Sequence, residues 1–142
     1  MTDRGYMLPS QRDDWGTPQK LFDELNKEFH FDLDAAANDT NHKCDKYFTV
    51  QDNGLMQSWG GYLVFVNPLY GRCLYDWCKK AYTEKDRAKV IVALLPARTD
   101  TRWFHEFIYN KAEIRFIKGR LHFDECKNAA TFPSMIVIWR KQ

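Results

Sequence analysis

The sequence predicts an α/β fold: a sheet with helices on both faces. The segment KVIVALLPA, residues 89–97, is apolar throughout, and such runs are typical of strands that are covered on both faces of a sheet. Strand-like segments alternate with segments of helical spacing, and residues 134–141 contain another apolar strand.

Length and composition exclude several classes of protein. The 142 residues are 44% hydrophobic and 15% aromatic, which excludes a disordered or low-complexity chain. No apolar run approaches the roughly 18 residues of a transmembrane helix, and the polar first residues do not resemble a signal peptide. We therefore expect a cytoplasmic protein with a loose N-terminal tail at residues 1–12 and a single domain at residues 13–142.

Charge is distributed unevenly along the chain. The net charge is +2, but residues 1–70 hold six Lys or Arg against eleven Asp or Glu, whereas residues 71–142 hold fifteen against eight. A basic second half suits a polyanion, although most charged side chains simply lie on solvated surface. The four cysteines and four histidines show no metal-ligand spacing, so we predict reduced, mostly buried thiols and no metal site.

The first predicted helix follows Thr17 and Pro18, a pair that suits the N-cap and the first helical position. Its apolar face is formed by Leu21, Phe22, Leu25 and Phe29. The alternating segment FHFDLD, residues 29–34, predicts the first strand, and small residues follow it in a turn.

A second strand is predicted at residues 62–66 and a second, amphipathic helix at residues 74–82. Sheets of this kind bind ligands at the carboxyl ends of their strands. The residues predicted to emerge there are Asp34, Asn67 and Pro96.

The second half of the chain adds a helix and a hairpin. Asp100 or Thr101 can cap a third helix that carries Trp103 and Phe104. Residues 112–123 have the pattern of two short strands that turn at Lys118 and Gly119.

The segment FVNPLYGR, residues 65–72, carries the most chemistry. Asn67 offers a side-chain carbonyl and Pro68 a backbone carbonyl, which together suit the two N–H groups of an amino group on a heteroaromatic ring. Tyr70 can stack on such a ring. Accepting both N–H groups would localise the lone pair of this weak nucleophile and aim it at a methyl group of a bound cofactor. A proline turn with a packed tyrosine is an equally good structural alternative.

NPLYG resembles the [DNS]-P-P-[YFW] motif of amino-methyltransferases. The segments WGTPQKLFDELNKEFHFDLDAAA, DNGLMQSW and ALLPARTDTRWFH stand around it in the order and spacing of the phage-type DNA N-6-adenine methyltransferases, so the resemblance covers residues 13–140. It implies a Rossmann-like methyltransferase sheet with a C-terminal antiparallel hairpin and strand. It further implies S-adenosyl-L-methionine as cofactor, double-stranded DNA with a flipped adenine as substrate, and a phage-encoded enzyme in the host cell cytoplasm.

The resemblance also assigns roles to residues. The catalytic set that would hold the adenine is Asn67, Pro68 and Tyr70. The cofactor-binding set is Trp15, Thr17, Pro18, Asp34, Ala35, Ala36, Asp52 and Asn53. The candidate DNA-binding residues are Arg98, Thr99 and Arg102 in the segment ALLPARTDTRWFH, together with Arg115, Lys118 and Arg120, which flank the predicted hairpin that could lie along a DNA backbone. Ordinary structural roles stay open beside these assignments, since Thr-Pro caps helices, Asn-Gly forms turns and charged residues lie on solvated surface.

One position departs from the family motif. Leu69 stands where a second proline is usual, and that proline would hold Pro68 in the extended region. Its loss is expected to cost about 0.4–1 kcal/mol of preorganisation. Two alternatives therefore stay open: a methyltransferase of another acceptor, such as an RNA base or glutamine, and a weakened relative that binds DNA or cofactor without turnover. The short chain predicts relaxed target specificity, or specificity gained through a homodimer.

Overall fold

The computed structural model describes residues 16–68, 73–123, 130 and 132–141. Within these residues the chain forms a mixed five-stranded sheet and three α-helices, which confirms the predicted α/β class. The elements in chain order are α1 (Gln19–Phe29), β1 (Leu33–Asp34), a 3₁₀ turn (Gly54–Met56), β2 (Leu63–Val66), α2 (Leu74–Glu84), β3 (Val90–Pro96), α3 (Arg102–Phe107), β4 (Glu113–Phe116) and β5 (Ser134–Trp139).

The sheet has the strand order β1-β2-β3-β5-β4. Strands β1, β2 and β3 are parallel neighbours, and β5 is antiparallel to both β3 and β4. Strand β4 therefore runs in the same direction as β1, β2 and β3. The carboxyl ends of these four strands lie at one edge of the sheet, which we call the C-terminal edge.

Helices cover both faces of the central strand. All of β3 is buried, as its uninterrupted apolar sequence predicts. On one face Val92 and Leu94 belong to the same buried cluster as Phe22 of α1. On the other face Ile91 shares a cluster with Leu74 of α2. The two clusters therefore cover both faces of the sheet at β3.

The first helix is confirmed, but its start differs from the prediction. Helix α1 begins at Gln19, Pro18 occupies the N-cap position, and no side chain caps the helix. The predicted N-cap role of Thr17 is therefore wrong. The side chain of Thr17 is left to bind elsewhere, at the candidate site.

The first strand is shorter than the alternating pattern of residues 29–34 predicts. Phe29 completes the buried face of α1, and His30 then closes the helix in the left-handed conformation with φ of 56°. Only Leu33–Asp34 pair with β2 as a strand. Helical packing of Phe29 has overridden the period-2 pattern that begins at the same residue.

The third helix follows its prediction, whereas the hairpin does not. The hydroxyl oxygen of Thr101 accepts a hydrogen bond from the amide of Phe104, as expected of an N-cap. The prediction of a hairpin around Lys118 and Gly119 is wrong, because residues 120–123 form no strand. Strand β4 pairs with β5 instead, which gives the fully buried β5 a partner on each side.

Two cysteines are buried in this fold. Burial raises the pKa of the Cys44 and Cys78 thiols to about 12, so both stay protonated and unreactive near neutral pH. Cys126 lies outside the described residues. Among the helices that the structure describes, none has the length and apolar character needed to cross a membrane.

Candidate active site

A cavity of about 280 Å³ lies at the C-terminal edge, beside the ends of β1 and β2. Four segments build its walls: the residues before α1, the loop after β1, the segment around the 3₁₀ turn, and the end of β2 with the start of α2. The lining residues are Gly16, Thr17, Ala35, Ala36, Ala37, Asn38, Asn41, Phe48, Thr49, Val50, Asn53, Gly54, Leu55, Asn67, Cys73 and Trp77.

The first residues of the segment NPLYG lie at this cavity. Asn67 directly follows β2 and is half-buried, and Pro68 after it is buried. The side-chain amide nitrogen of Asn67 donates a hydrogen bond to the hydroxyl oxygen of Thr17 at 3.0 Å. Thr17 is only 3% exposed. Two predicted site residues that lie 50 positions apart in sequence thus form one wall.

The loop after β1 supplies the smallest side chains of the site. The amide of Ala35 donates to the carbonyl of Phe65 at 3.0 Å, so this loop leaves the sheet beside β2. Ala35 and Ala36 both line the cavity, and their predicted contact with a cofactor stays a prediction. Pro18 is half-buried and is not among the lining residues.

Asp34 is buried beneath the cavity loop and does not line the cavity. Its Oδ2 accepts a hydrogen bond from the amide of Lys43 at 2.9 Å, and its Oδ1 makes no hydrogen bond of normal geometry among the described residues. Burial is the main influence on the carboxyl and raises its pKa to about 6, against the opposing pull of the Lys43 and Ala36 amides and of the nearby His42. The predicted contact of Asp34 with a cofactor stays a prediction.

Close packing at the 3₁₀ turn defines a further wall. A Cβ atom on Gly54 would overlap the carbonyl oxygen of Ala35 and would lie 3.1 Å from Cη2 of Trp77. The absence of a side chain lets the turn close against the loop after β1.

The two polar residues before Gly54 differ in their contacts. Asn53 lines the cavity and has a left-handed backbone with φ of 58°. The carboxylate of Asp52 accepts hydrogen bonds from the amide of Thr49 at 2.9 Å and from its hydroxyl at 3.1 Å. Asp52 therefore shapes the loop, and Asn53 is the one of this pair that reaches the cavity.

Some of the predicted DNA-binding residues are exposed at the C-terminal edge. Arg98 and Thr99 follow β3, and Lys118 and Arg120 follow β4. The Arg98 guanidinium lies 5.5 Å from the centre of the Phe132 ring, which holds it near the start of β5. The parallel direction of β3 and β4 brings these residues to the same edge as Asn67.

The other two predicted DNA-binding arginines have acidic partners. Arg102 donates from Nε to Glu106 at 2.9 Å and from Nη2 to the hydroxyl of Tyr75 at 3.3 Å. Arg115 donates from both terminal nitrogens to the carboxylate of Glu28, at 2.7 and 2.8 Å. The Arg115 pair joins β4 to α1, on the face of the sheet that α1 covers, and gives this arginine a structural role.

Trp15, Tyr70 and Leu69, together with the last two residues of FVNPLYGR, lie outside the described residues, as does the tail at residues 1–12. The cavity is also lined by Asn38, Phe48, Gly54 and Trp77, which are not among the residues predicted for the site. Asn38 could have been predicted from the sequence, because it is a polar residue directly after the small residues that follow β1.

A family model for "DNA N-6-adenine-methyltransferase (Dam)" matches residues 5–142. The chain belongs to this family. The resemblance drawn from NPLYG and its flanking segments is thereby confirmed.

Two phage proteins illustrate the Dam family relationship. A DNA N-6-adenine-methyltransferase of Escherichia phage T1 is 37% identical over 115 residues, which cover 80% of this chain and 48% of that protein. A DNA N-6-adenine-methyltransferase of Haemophilus phage HP1 is 31% identical over 110 residues, which cover 76% of this chain and 64% of that protein. The matched part of this Dam family chain thus spans between about half and two thirds of the length of these relatives.

Proposed function

We propose that this Dam family chain transfers a methyl group from S-adenosyl-L-methionine to the 6-amino group of adenine in DNA. The observation that carries the proposal is the position of Asn67, which is followed by Pro68 at the end of β2 and lines a cavity with small, aromatic and amide side chains. The three parallel strands with β5 antiparallel beside them support the Rossmann-like sheet that the resemblance implies.

The cavity suits the proposed cofactor. The small side chains of Ala35 and Ala36 take up little of the cavity, while Phe48 and Trp77 offer apolar surface to a nucleoside. Asn53 adds a polar side chain with both donor and acceptor atoms. When bound, S-adenosyl-L-methionine supplies an electrophilic methyl group.

The chain's own residues prepare the nucleophile. The side-chain carbonyl of Asn67 and the backbone carbonyl of Pro68 accept the two N–H groups of the adenine amino group. Accepting both N–H groups takes the nitrogen lone pair out of conjugation with the ring, and the fixed carbonyl dipoles stabilise the positive charge that develops on nitrogen until the methylated amino group loses a proton to water. Tyr70, two residues further along, is proposed to stack on the base, which must leave the duplex to reach it.

DNA is proposed to lie along the C-terminal edge. Arg98, Lys118 and Arg120 are exposed there and supply positive charge along this edge, Arg98 after β3, which neighbours β2, and the other two after β4. Arg115 is excluded from this surface because it is bound by Glu28 on the other side of β4. Whether a homodimer completes the DNA-binding surface stays a prediction.

The test is methyl transfer with a labelled donor. Purified protein is incubated with methyl-labelled S-adenosyl-L-methionine and with DNA that lacks adenine methylation, and the DNA is digested to nucleosides. We expect label in N6-methyladenine, a loss of about 100-fold or more in Asn67→Ala, and partial activity in Asn67→Asp, which keeps an acceptor oxygen.

Other outcomes separate the alternatives. Label in RNA or in a glutamine-containing peptide, with none in DNA, would overturn the DNA assignment. Cofactor binding without transfer to any acceptor would identify a weakened relative, and activity gained on Leu69→Pro would then assign the weakness to the altered motif.

A further inference from the structure

Thr17 and Asn67 are in direct contact although they belong to different sequence blocks. The hydroxyl oxygen of Thr17 accepts a hydrogen bond from the amide nitrogen of Asn67 at 3.0 Å. The hydroxyl is available for this bond because α1 uses no side-chain cap and begins after Pro18. Thr17 is 3% exposed, so water competes little for its hydroxyl.

We propose that Thr17 is a positioning residue for Asn67: its hydroxyl fixes the plane of the Asn67 carboxamide, so that the carbonyl is held toward the amino group of the substrate. A side-chain amide rotates easily about its terminal torsion, and its oxygen accepts a substrate N–H only in part of that range. The hydrogen bond from the amide nitrogen of Asn67 to the buried hydroxyl of Thr17 restricts this rotation. The inference rests on the proposed role of Asn67 and extends it.

This role differs from the cofactor contact that the resemblance gives to Thr17. A residue that acts through Asn67 changes the rate of transfer at saturating cofactor. A residue that binds the methionine end of the cofactor changes cofactor affinity. The two roles therefore separate in kcat and in the dissociation constant for S-adenosyl-L-methionine.

The matched variants are Thr17→Val, which removes the hydroxyl at nearly constant shape, and Thr17→Ser, which keeps it. Thr83→Val makes the same change on the exposed surface of α2 and serves as a control. We expect Thr17→Val to lower kcat about tenfold, with cofactor affinity within about twofold of the parent, and Thr17→Ser to retain most of the rate. Unchanged kcat in Thr17→Val, or a loss confined to cofactor affinity, would overturn the inference.

A second measurement does not depend on activity. The side-chain amide resonance of Asn67, assigned by its loss in Asn67→Ala, is followed by ¹H–¹⁵N spectra of the parent and of both Thr17 variants. We expect it to shift in Thr17→Val and to stay close to the parent position in Thr17→Ser. If the parent chain methylates no DNA, the proposed function fails, and this spectrum still decides whether Thr17 holds Asn67. An unmoved resonance in Thr17→Val overturns the positioning role.

Discussion

At the scale of single residues, Gly54 joins two walls of the cavity. Its backbone lies so close to the carbonyl of Ala35 that a Cβ atom would overlap that oxygen, and the same Cβ atom would lie 3.1 Å from Cη2 of Trp77. The carbonyl is fixed by the adjoining sheet, because the amide of Ala35 is bonded to Phe65. Relief of a clash at this position requires movement of the backbone.

We predict that Gly54→Ala lowers the free energy of unfolding by about 1–3 kcal/mol and weakens binding of S-adenosyl-L-methionine, because the turn must move away from the loop after β1. Urea unfolding and calorimetric titration measure the two effects. Gly60→Ala is the control, since its nearest contact is the rotatable hydroxyl of Ser58 at 3.3 Å. Equal stability of the two variants would contradict the requirement for close approach at Gly54.

At the scale of elements, the short strand β1 is held as much by the following loop as by β2. The amide of Asp34 donates to the carbonyl of Lys46 at 3.0 Å, and its carbonyl accepts from the amide of Phe48 at 3.0 Å. The carboxylate of Asp34 adds the bond to the Lys43 amide. The buried Asp34 thus holds the loop after β1 through three hydrogen bonds, and this loop carries Phe48, which lines the cavity.

Burial of this carboxyl makes stability depend on pH. Its pKa is raised from 3.8 in the unfolded chain to about 6 in the fold. Between these values the folded protein keeps a proton that the unfolded chain releases, so the contribution of Asp34 to stability falls as the pH rises from about 4 to about 6 and is constant above. The difference in pKa corresponds to about 3 kcal/mol.

We predict that the free energy of unfolding of the parent, relative to Asp34→Asn, is higher at pH 4 than at pH 7 by up to about 3 kcal/mol. Urea unfolding of both proteins at several pH values measures the difference and cancels the groups they share. Asp45→Asn, which changes an exposed carboxylate in the same loop, is the control. A difference between parent and Asp34→Asn that does not change with pH would contradict the prediction.

Sequence patterns correctly predicted two kinds of element: those stabilised by contacts between residues close together in the chain, and those whose amino-acid composition fits only one type of secondary structure. The uniformly apolar β3 and the Thr101 cap are of this kind. The errors involve distant partners: Thr17 bonds to Asn67, 50 positions away, and β4 pairs with β5 in place of the adjacent residues 120–123. The site follows the same rule, because the motif at the end of β2 was visible in sequence, whereas the fit of Gly54 against Ala35 arises only from tertiary packing.

In the whole molecule, the strand order places the acidic first half of the chain at one side of the sheet and the basic second half at the other. Strands β1 and β2 come from the acidic first half and lie at one side, while β5 and β4 come from the basic second half and lie at the other. The residues that follow β4 carry Lys118 and Arg120 to the C-terminal edge. Positive charge is therefore placed at the same C-terminal edge as the proposed base-binding motif, but on the other side of the sheet, with β3 and β5 between them.

This arrangement predicts which basic residues contact DNA phosphates. Lys118→Ala and Arg120→Ala should each weaken binding to duplexes of any sequence and reduce the slope of log K against log salt concentration by about 1. Arg115→Ala should leave that slope unchanged, because its guanidinium is bound by Glu28 on the α1 face. Fluorescence anisotropy with a labelled duplex at several salt concentrations measures all three slopes. A reduced slope in Arg115→Ala alone would place the DNA on the α1 face and would separate it from Asn67.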